Sequence, residues 1–103
     1  MPVMMRIIQQ FDAVHQKEFL ELEAKFAQLE ARRADYPKGR RLRPIAAAHP
    51  CNTLIWECQF PDIQTARKTL DFFCGDHEHE ALLEQQLPYF RQVHVEFYDV
   101  LDF

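Results

Sequence analysis

The sequence has little glycine, with only two glycines among 103 residues, Gly39 and Gly75, and these lie far apart. A phosphate-binding loop needs closely spaced glycines so that the backbone can approach the phosphates, and this chain has no such loop. It also lacks the GxSxG turn of serine hydrolases. The shortage of glycine, with six prolines, excludes collagen-like and flexible-linker sequences.

Cysteine is also scarce. Cys51, Cys58 and Cys74 form no CxxC pair and cannot all pair within one chain, so we expect reduced thiols. There is no HExxH motif, and His77 and His79 would point apart on a helix. We therefore expect no metal site.

Long apolar runs are absent, and the amino-terminal stretch MPVMMRII is too short for a signal segment and contains Arg6. The net charge of -4 argues against general nucleic-acid binding. We expect a cytoplasmic protein without a membrane or nucleic-acid partner.

Large apolar side chains are abundant, since 48% of the residues are hydrophobic and nine are phenylalanine. This content supports one packed core, and the length is too small for two. A single domain over residues 1–103 is predicted.

The positive charge is concentrated between Arg32 and Arg43, where only Asp35 opposes six basic residues. Such a run is typical of a solvated helix end and turn, and the alternative is an anion-binding or partner-docking patch.

Hydrophobic periodicity and turn residues predict seven elements. These are a strand at 3–11, a helix at 16–35, strands at 41–48 and 54–60, a helix from 63 to Gly75, a short helix at 77–87 and a strand at 92–101. Asp62 and Asp76 are the expected N-caps, and Gly75 is the expected left-handed residue that breaks the second helix. The alanines at 46–48 should lie next to Trp56, giving the indole its space or leaving a ligand cavity.

The order βαββαβ predicts an α+β ferredoxin-like fold, with a four-stranded antiparallel sheet in the order 4-1-3-2 and helices on one face. Strand alternation places two apolar rows under the helices. These rows are Leu54, Trp56, Cys58 and Phe60, and Val93, Val95 and Phe97. The other face carries Ile8, Ile55, Tyr98 and Val100, which is too apolar for a wet surface, so we expect a second subunit to cover it.

The same face carries the first candidate site. Arg6 on the central strand should face Glu57 and Glu96 on the flanking strands. A guanidinium shared by two carboxylates would either hold the dimer register or perturb a glutamate pKa. His94 and Tyr98 neighbour Glu96 and would complete an acid/base pocket.

The stretch TLIWECQFPDIQTARKTLDFFCGDHEHEALLEQQLPYF, residues 53–90, runs from a strand centred on Trp56 through a helix, a "GD" break and a short helix bearing His and Glu. In this it resembles the dimeric α/β-barrel superfamily, and within it the NIPSNAP-like and related small ferredoxin-like proteins. The resemblance implies a homodimer in which two sheets pack face to face. It does not imply one function, because the superfamily includes heme-degrading and cofactor-independent monooxygenases.

For the heme-degrading members, the resemblance implies an aromatic residue on the sheet, here Trp56, and an iron-ligating histidine, here His77 or His79. Those enzymes also use an asparagine on the first strand, where this chain has Gln9 and Gln10.

Two functions therefore remain open. In the first, a homodimer without turnover binds a small apolar or aromatic ligand near Trp56, Arg6, Glu57 and Glu96. In the second, a monooxygenase-like enzyme, cofactor-independent or heme-linked, uses His94, Tyr98 or His79 as proton carriers.

Overall fold

The architecture was analysed in a computed structural model that describes all residues from 1 to 103. Its elements are β1 (Val3–Phe11), α1 (Gln16–Arg32), β2 (Arg40–Leu42), β3 (Thr53–Phe60), α2 (Ile63–Gly75), α3 (His77–Gln86) and β4 (Phe90–Asp99). Two 3-10 turns, Ala13–His15 and Leu87–Tyr89, precede α1 and β4.

The four strands form one antiparallel sheet in the order β2-β3-β1-β4. The predicted α+β ferredoxin-like fold and strand order are confirmed. Both predicted N-caps are present as well: the Asp62 carboxylate accepts the Thr65 N–H at 2.7 Å, and the Asp76 carboxylate accepts the His79 N–H at 3.1 Å. No helix has the length and apolar character needed to cross a membrane.

The element boundaries differ from the prediction mainly at β2. Instead of 41–48, only Arg40–Leu42 pairs with β3, and the chain then leaves the sheet in a series of bends. Pro44 lies two residues after β2 and has no N–H to donate to a ladder. The helix predicted at 16–35 ends at Arg32, and the last strand occupies Phe90–Asp99 instead of 92–101.

Gly75 does not act as a left-handed residue, because no residue in the chain has a positive φ. The second helix ends instead where Asp76 adopts an extended backbone, with φ -89° and ψ 123°. Its carboxylate also accepts hydrogen bonds from Tyr36 and Arg33. The break is therefore held by contacts from the segment after α1, far away in sequence.

We call the face of the sheet that packs on the helices the helix side. Its main core cluster consists of Val3, Met5, Leu29, Tyr36, Trp56, Phe60, Ala66 and Phe73. The row on β3 lies under the helices as predicted. The row on β4 does not: Val93, Val95 and Phe97 are 47%, 38% and 36% exposed. The helices lie over the inner strands and leave this edge strand uncovered.

The space for the Trp56 indole comes from Gly39. A Cβ atom on Gly39 would lie 2.2 Å from the indole ring. Arg41, and not an alanine, is the residue paired with Trp56 across the strands. The alanines at 46–48 are exposed in the loop after β2, so the prediction that they lie beside Trp56 was wrong.

Candidate functional site

The opposite face of the sheet, which we call the open face, carries a buried carboxylate between two arginines. The register pairs Arg6 with both Glu57 and Glu96. Arg6 Nε donates to Glu57 Oε1 at 3.0 Å, and Arg40 Nε donates to Glu57 Oε2 at 2.6 Å. The Glu57 side chain is only 2% exposed. The sequence predicted one guanidinium shared by two carboxylates. The structure instead has one carboxylate shared by two guanidiniums.

Glu96 makes its contacts along its own strand. The Tyr98 hydroxyl donates to the Glu96 carboxylate, and His94 Nε2 lies 3.3 Å from Glu96 Oε2. The hydrogen bond from Tyr98 and the nearby His94 lower the pKa of Glu96, and the same bond raises the pKa of Tyr98. The Arg6 guanidinium lies 5.2 Å from the centre of the Tyr98 ring. These contacts and the Arg6–Glu57 pair link five predicted site residues in one polar row.

A small cavity lies at the end of this row and contains residues that the sequence analysis did not single out. It has a volume of about 70 Å³ and is lined by Ile8, Gln10, His49, Pro50, Thr53, Gln92 and His94. We call it the Thr53 cavity. Thr53 is 1% exposed, and its hydroxyl has no hydrogen-bond partner. Thr53 pairs with Gln10 on β1, although the predicted strand began only at Leu54, and the approach of His49 depends on the path of the loop.

The helix side holds a second polar network, which the sequence analysis missed. Trp56 Nε1 donates to Glu30 Oε1 at 2.9 Å. Arg41 donates to Glu30 and, from Nε at 2.7 Å, to Glu23 Oε2. Gln86 Nε2 donates to the other Glu23 oxygen at 3.0 Å. Both carboxylates are buried and both are hydrogen-bonded, which is the arrangement that lets charged groups remain in a core.

His79 also lies on the helix side, away from the other two predicted proton carriers. Its ring stacks on Phe73 at 5.0 Å and packs against Phe26 at 5.1 Å. Burial lowers the pKa of His79, and its Nδ1 atom is buried without a hydrogen-bond partner. His94 and Tyr98 are on the open face. The structure therefore does not bring these three residues into one site.

The helix side does not fit a heme. Trp56 is buried in the main core cluster with its indole N–H bonded to Glu30, and His79 is enclosed by two phenylalanine rings. His77 is exposed on the outer part of α3. The helix side therefore has no open space bordered by both an aromatic residue and a free histidine. No group of three or more His, Cys, Asp or Glu is placed to hold a metal ion.

The basic run from Arg32 to Arg43 is neither a simple solvated helix end nor a free anion patch. Four of its residues pair with carboxylates from other elements: Arg32 with Glu78, Arg33 with Asp76, Arg40 with Glu57, and Arg41 with Glu23 and Glu30. Lys38 donates to the carbonyl oxygens of Glu30 and Arg33. Most of the basic side chains in this run are thus paired with carboxylates or carbonyl oxygens of the same chain.

No known family model matches the chain, and no curated protein is significantly similar to it in sequence. Solved structures do match it. An uncharacterized NIPSNAP domain protein from Burkholderia xenovorans aligns with a TM-score of 0.78 and 17% identity, over 100% of this chain and 97% of that chain. A NIPSNAP family protein from Agrobacterium tumefaciens aligns with a TM-score of 0.77 and 10% identity, over 100% and 96%.

A third similar structure carries a functional description. It is a cofactor-independent oxygenase from Streptomyces nogalater, with a TM-score of 0.65 and 14% identity over 99% of this chain and 95% of that chain. Identities this low establish a common fold and not a common activity. The predicted resemblance is confirmed at that level: the chain has the ferredoxin-like fold of NIPSNAP domain proteins and antibiotic biosynthesis monooxygenase-type proteins.

Proposed function

We propose that the protein is a homodimer whose two open faces pack together into a barrel, and that this barrel binds a small apolar or aromatic ligand. The observation that carries the proposal is the composition of the open face. It combines the buried Glu57 carboxylate with Met4, Ile55 and Tyr98, which are only partly covered in the single chain. An exposed sheet face is normally polar throughout, whereas a face with aromatic and aliphatic groups favours a covering partner.

Charge on the open face favours a second copy as that partner. Arg40 lies on β2 at one edge of the sheet and is 73% exposed, whereas Glu96 lies on β4 at the other edge. In a two-fold interface each patch contacts the complementary patch of the other copy. Packing around a two-fold axis can therefore bring the positive edge of one sheet near the negative edge of the other.

The ligand is assigned to the space between the sheets because, on the helix side, Trp56 is packed in the main core cluster and its indole N–H is bonded to Glu30. Of the four predicted ligand-binding residues, Arg6, Glu57 and Glu96 lie on the open face, and Trp56 lies in the core on the other side. The Thr53 cavity provides space next to Ile8 on the open face. An apolar lining with a few polar groups is the usual composition of a small-molecule site.

Sedimentation velocity of the wild type and two variants tests the assembly. The wild type is expected at twice the chain mass of 12.3 kDa. Ile55→Glu introduces a charge in the middle of the proposed interface and should shift the protein to the monomer. Gln28→Glu makes a similar change at an exposed position of α1 and should leave the dimer intact. A monomeric wild type, or an Ile55→Glu variant that dimerises like the wild type, contradicts the proposal.

The second candidate is a cofactor-independent monooxygenase-like enzyme acting on a small organic substrate. It is favoured by the placement of the His94 imidazole against Glu96 and near Tyr98, because a carboxylate that orients an imidazole is a common arrangement for a general base. Oxygen uptake in the presence of small phenols would support it, provided that His94→Phe abolishes the uptake while the dimer persists. Uptake that is unchanged in His94→Phe would exclude this role.

A further inference from the structure

We infer that the Thr53 cavity is a subsite for the carboxylate group of a small aromatic or aliphatic acid. This inference rests on the proposed function, because the remainder of such an acid would lie between the two sheets. It adds the chemical class of the ligand and names residues outside the predicted site.

The first argument is the unpartnered hydroxyl of Thr53. This side chain is 1% exposed, lies on the open face and forms part of the cavity wall, and its oxygen has no hydrogen-bond partner. Buried polar groups in folded proteins are nearly always hydrogen-bonded, because leaving one unpaired is destabilising. A polar group held in the cavity can provide the missing partner.

The second argument is the chemistry of the other polar walls. His49, Gln10 and Gln92 each have at least one N–H group that can donate, and no carboxylate is part of the lining. Glu96 contacts His94 from outside this lining, where it can orient the ring. A site that is rich in donors and lacks carboxylates favours a ligand group that only accepts hydrogen bonds.

The third argument is size and charge. A volume of about 70 Å³ suits one carboxylate group better than a whole aromatic acid. No lysine or arginine lines the cavity, and a multiply charged phosphate depends on such partners more than a singly charged carboxylate does. Ile8 is the apolar part of the wall, and Ile55 is its neighbour across the strands. The hydrocarbon part of the acid can extend over these two side chains.

Binding of three matched probes tests the inference: benzoate, benzamide and benzyl alcohol, each titrated by calorimetry into the dimeric wild-type protein. Benzoate is expected to bind at least tenfold more tightly than the two neutral probes. Thr53→Val has nearly the same shape but lacks the hydroxyl, so it should weaken benzoate binding at least tenfold. Its melting temperature should equal or exceed that of the wild type, because the unpartnered hydroxyl has been removed.

Thr69→Val is the matched control, because the Thr69 hydroxyl already donates to the Thr65 carbonyl on α2, away from the cavity. It should bind benzoate like the wild type. Equal affinity for the three probes, or unchanged benzoate binding by Thr53→Val, overturns the carboxylate subsite and leaves the proposed dimer in place. A dimer that binds none of the three probes overturns it too, and a monomeric wild type overturns the proposed function itself.

Discussion

The two faces of the sheet both bury glutamate carboxylates, but they pair them in different surroundings. On the helix side, Glu23 and Glu30 share Arg41, whose side chain is itself only 20% exposed. On the open face, Glu57 is equally buried, but Arg6 and Arg40 are 40% and 73% exposed. The helix-side network therefore has little access to water when a partner is removed, whereas in the single chain the open-face arginines can turn to solvent. The first arrangement stabilises a fixed core, and the second suits a surface that can accept a partner.

The largest effect is expected when the helix-side network loses its cation. Arg41→Ala leaves two buried carboxylates without their shared partner and should lower the free energy of unfolding by about 3 kcal/mol. Urea denaturation would measure the loss. Arg43→Ala is the control, because Arg43 is exposed and contacts only Gln16 at 3.4 Å, so its effect should stay below about 0.5 kcal/mol. Equal losses of unfolding free energy in the two variants would contradict the stabilising role of Arg41 on the helix side.

A second prediction concerns the close packing on the helix side. Gly39→Ala places a methyl group against the Trp56 indole and should destabilise the protein by about 2 kcal/mol, with a change in tryptophan fluorescence. Gly75→Ala provides the control, because no atom lies within 4 Å of the added group and alanine is the better helix former. It should be neutral or slightly stabilising. A Gly39→Ala variant as stable as Gly75→Ala would show that the indole has room to move.

A smaller effect is expected on the open face. Glu57→Gln keeps the shape of the side chain but removes its charge, and in the single chain both arginines can then be solvated. The expected loss is about 1 kcal/mol, measured by urea denaturation at a protein concentration low enough for the single chain to predominate. Gln59→Ala, at an exposed position of the same strand face, should change little. A loss from Glu57→Gln as large as that from Arg41→Ala would contradict the comparison.

The smallest effect is on the pH dependence of stability. Burial between two aromatic rings lowers the pKa of His79 below its ordinary value of 6.5, so the unfolded chain takes up this proton at a higher pH than the folded chain does. The contribution of neutral His79 is therefore complete well above pH 6.5 and is lost as the pH falls below it. His79→Phe should reduce the slope of unfolding free energy against pH between 7.5 and 5.5. His77→Phe, at an exposed position of the same helix, should not change that slope.

Local signals predicted those parts of the fold that depend on neighbouring residues. Asp62 and Asp76 were recognisable as caps because each is an aspartate just before a helix. The alternation along β1, β3 and β4 placed Arg6, Glu57 and Glu96 on one face, and the register confirms that placement. The predicted second strand, 41–48, was too long. The observed β2 extends only over Arg40–Leu42, where three residues pair with β3.

The long-range contacts were beyond the reach of such signals. The sequence analysis did not single out Glu23 or Glu30, which are buried against Arg41 and Trp56. Gly39 gave no local sign that it lies against an indole 17 positions later. The unpartnered state of Thr53 is likewise visible only after the loop carrying His49 has been positioned.

The sequence by itself determined the order of strands and helices and the side of each strand residue, because periodicity and capping depend on residues a few positions apart. The strand order of the sheet followed from the βαββαβ order as a whole. The tertiary structure decided how charges are paired and where space remains, because those depend on side chains from different elements meeting at hydrogen-bond distance. For this protein, it packed Trp56 into the core on the helix side and left the Thr53 cavity on the open face.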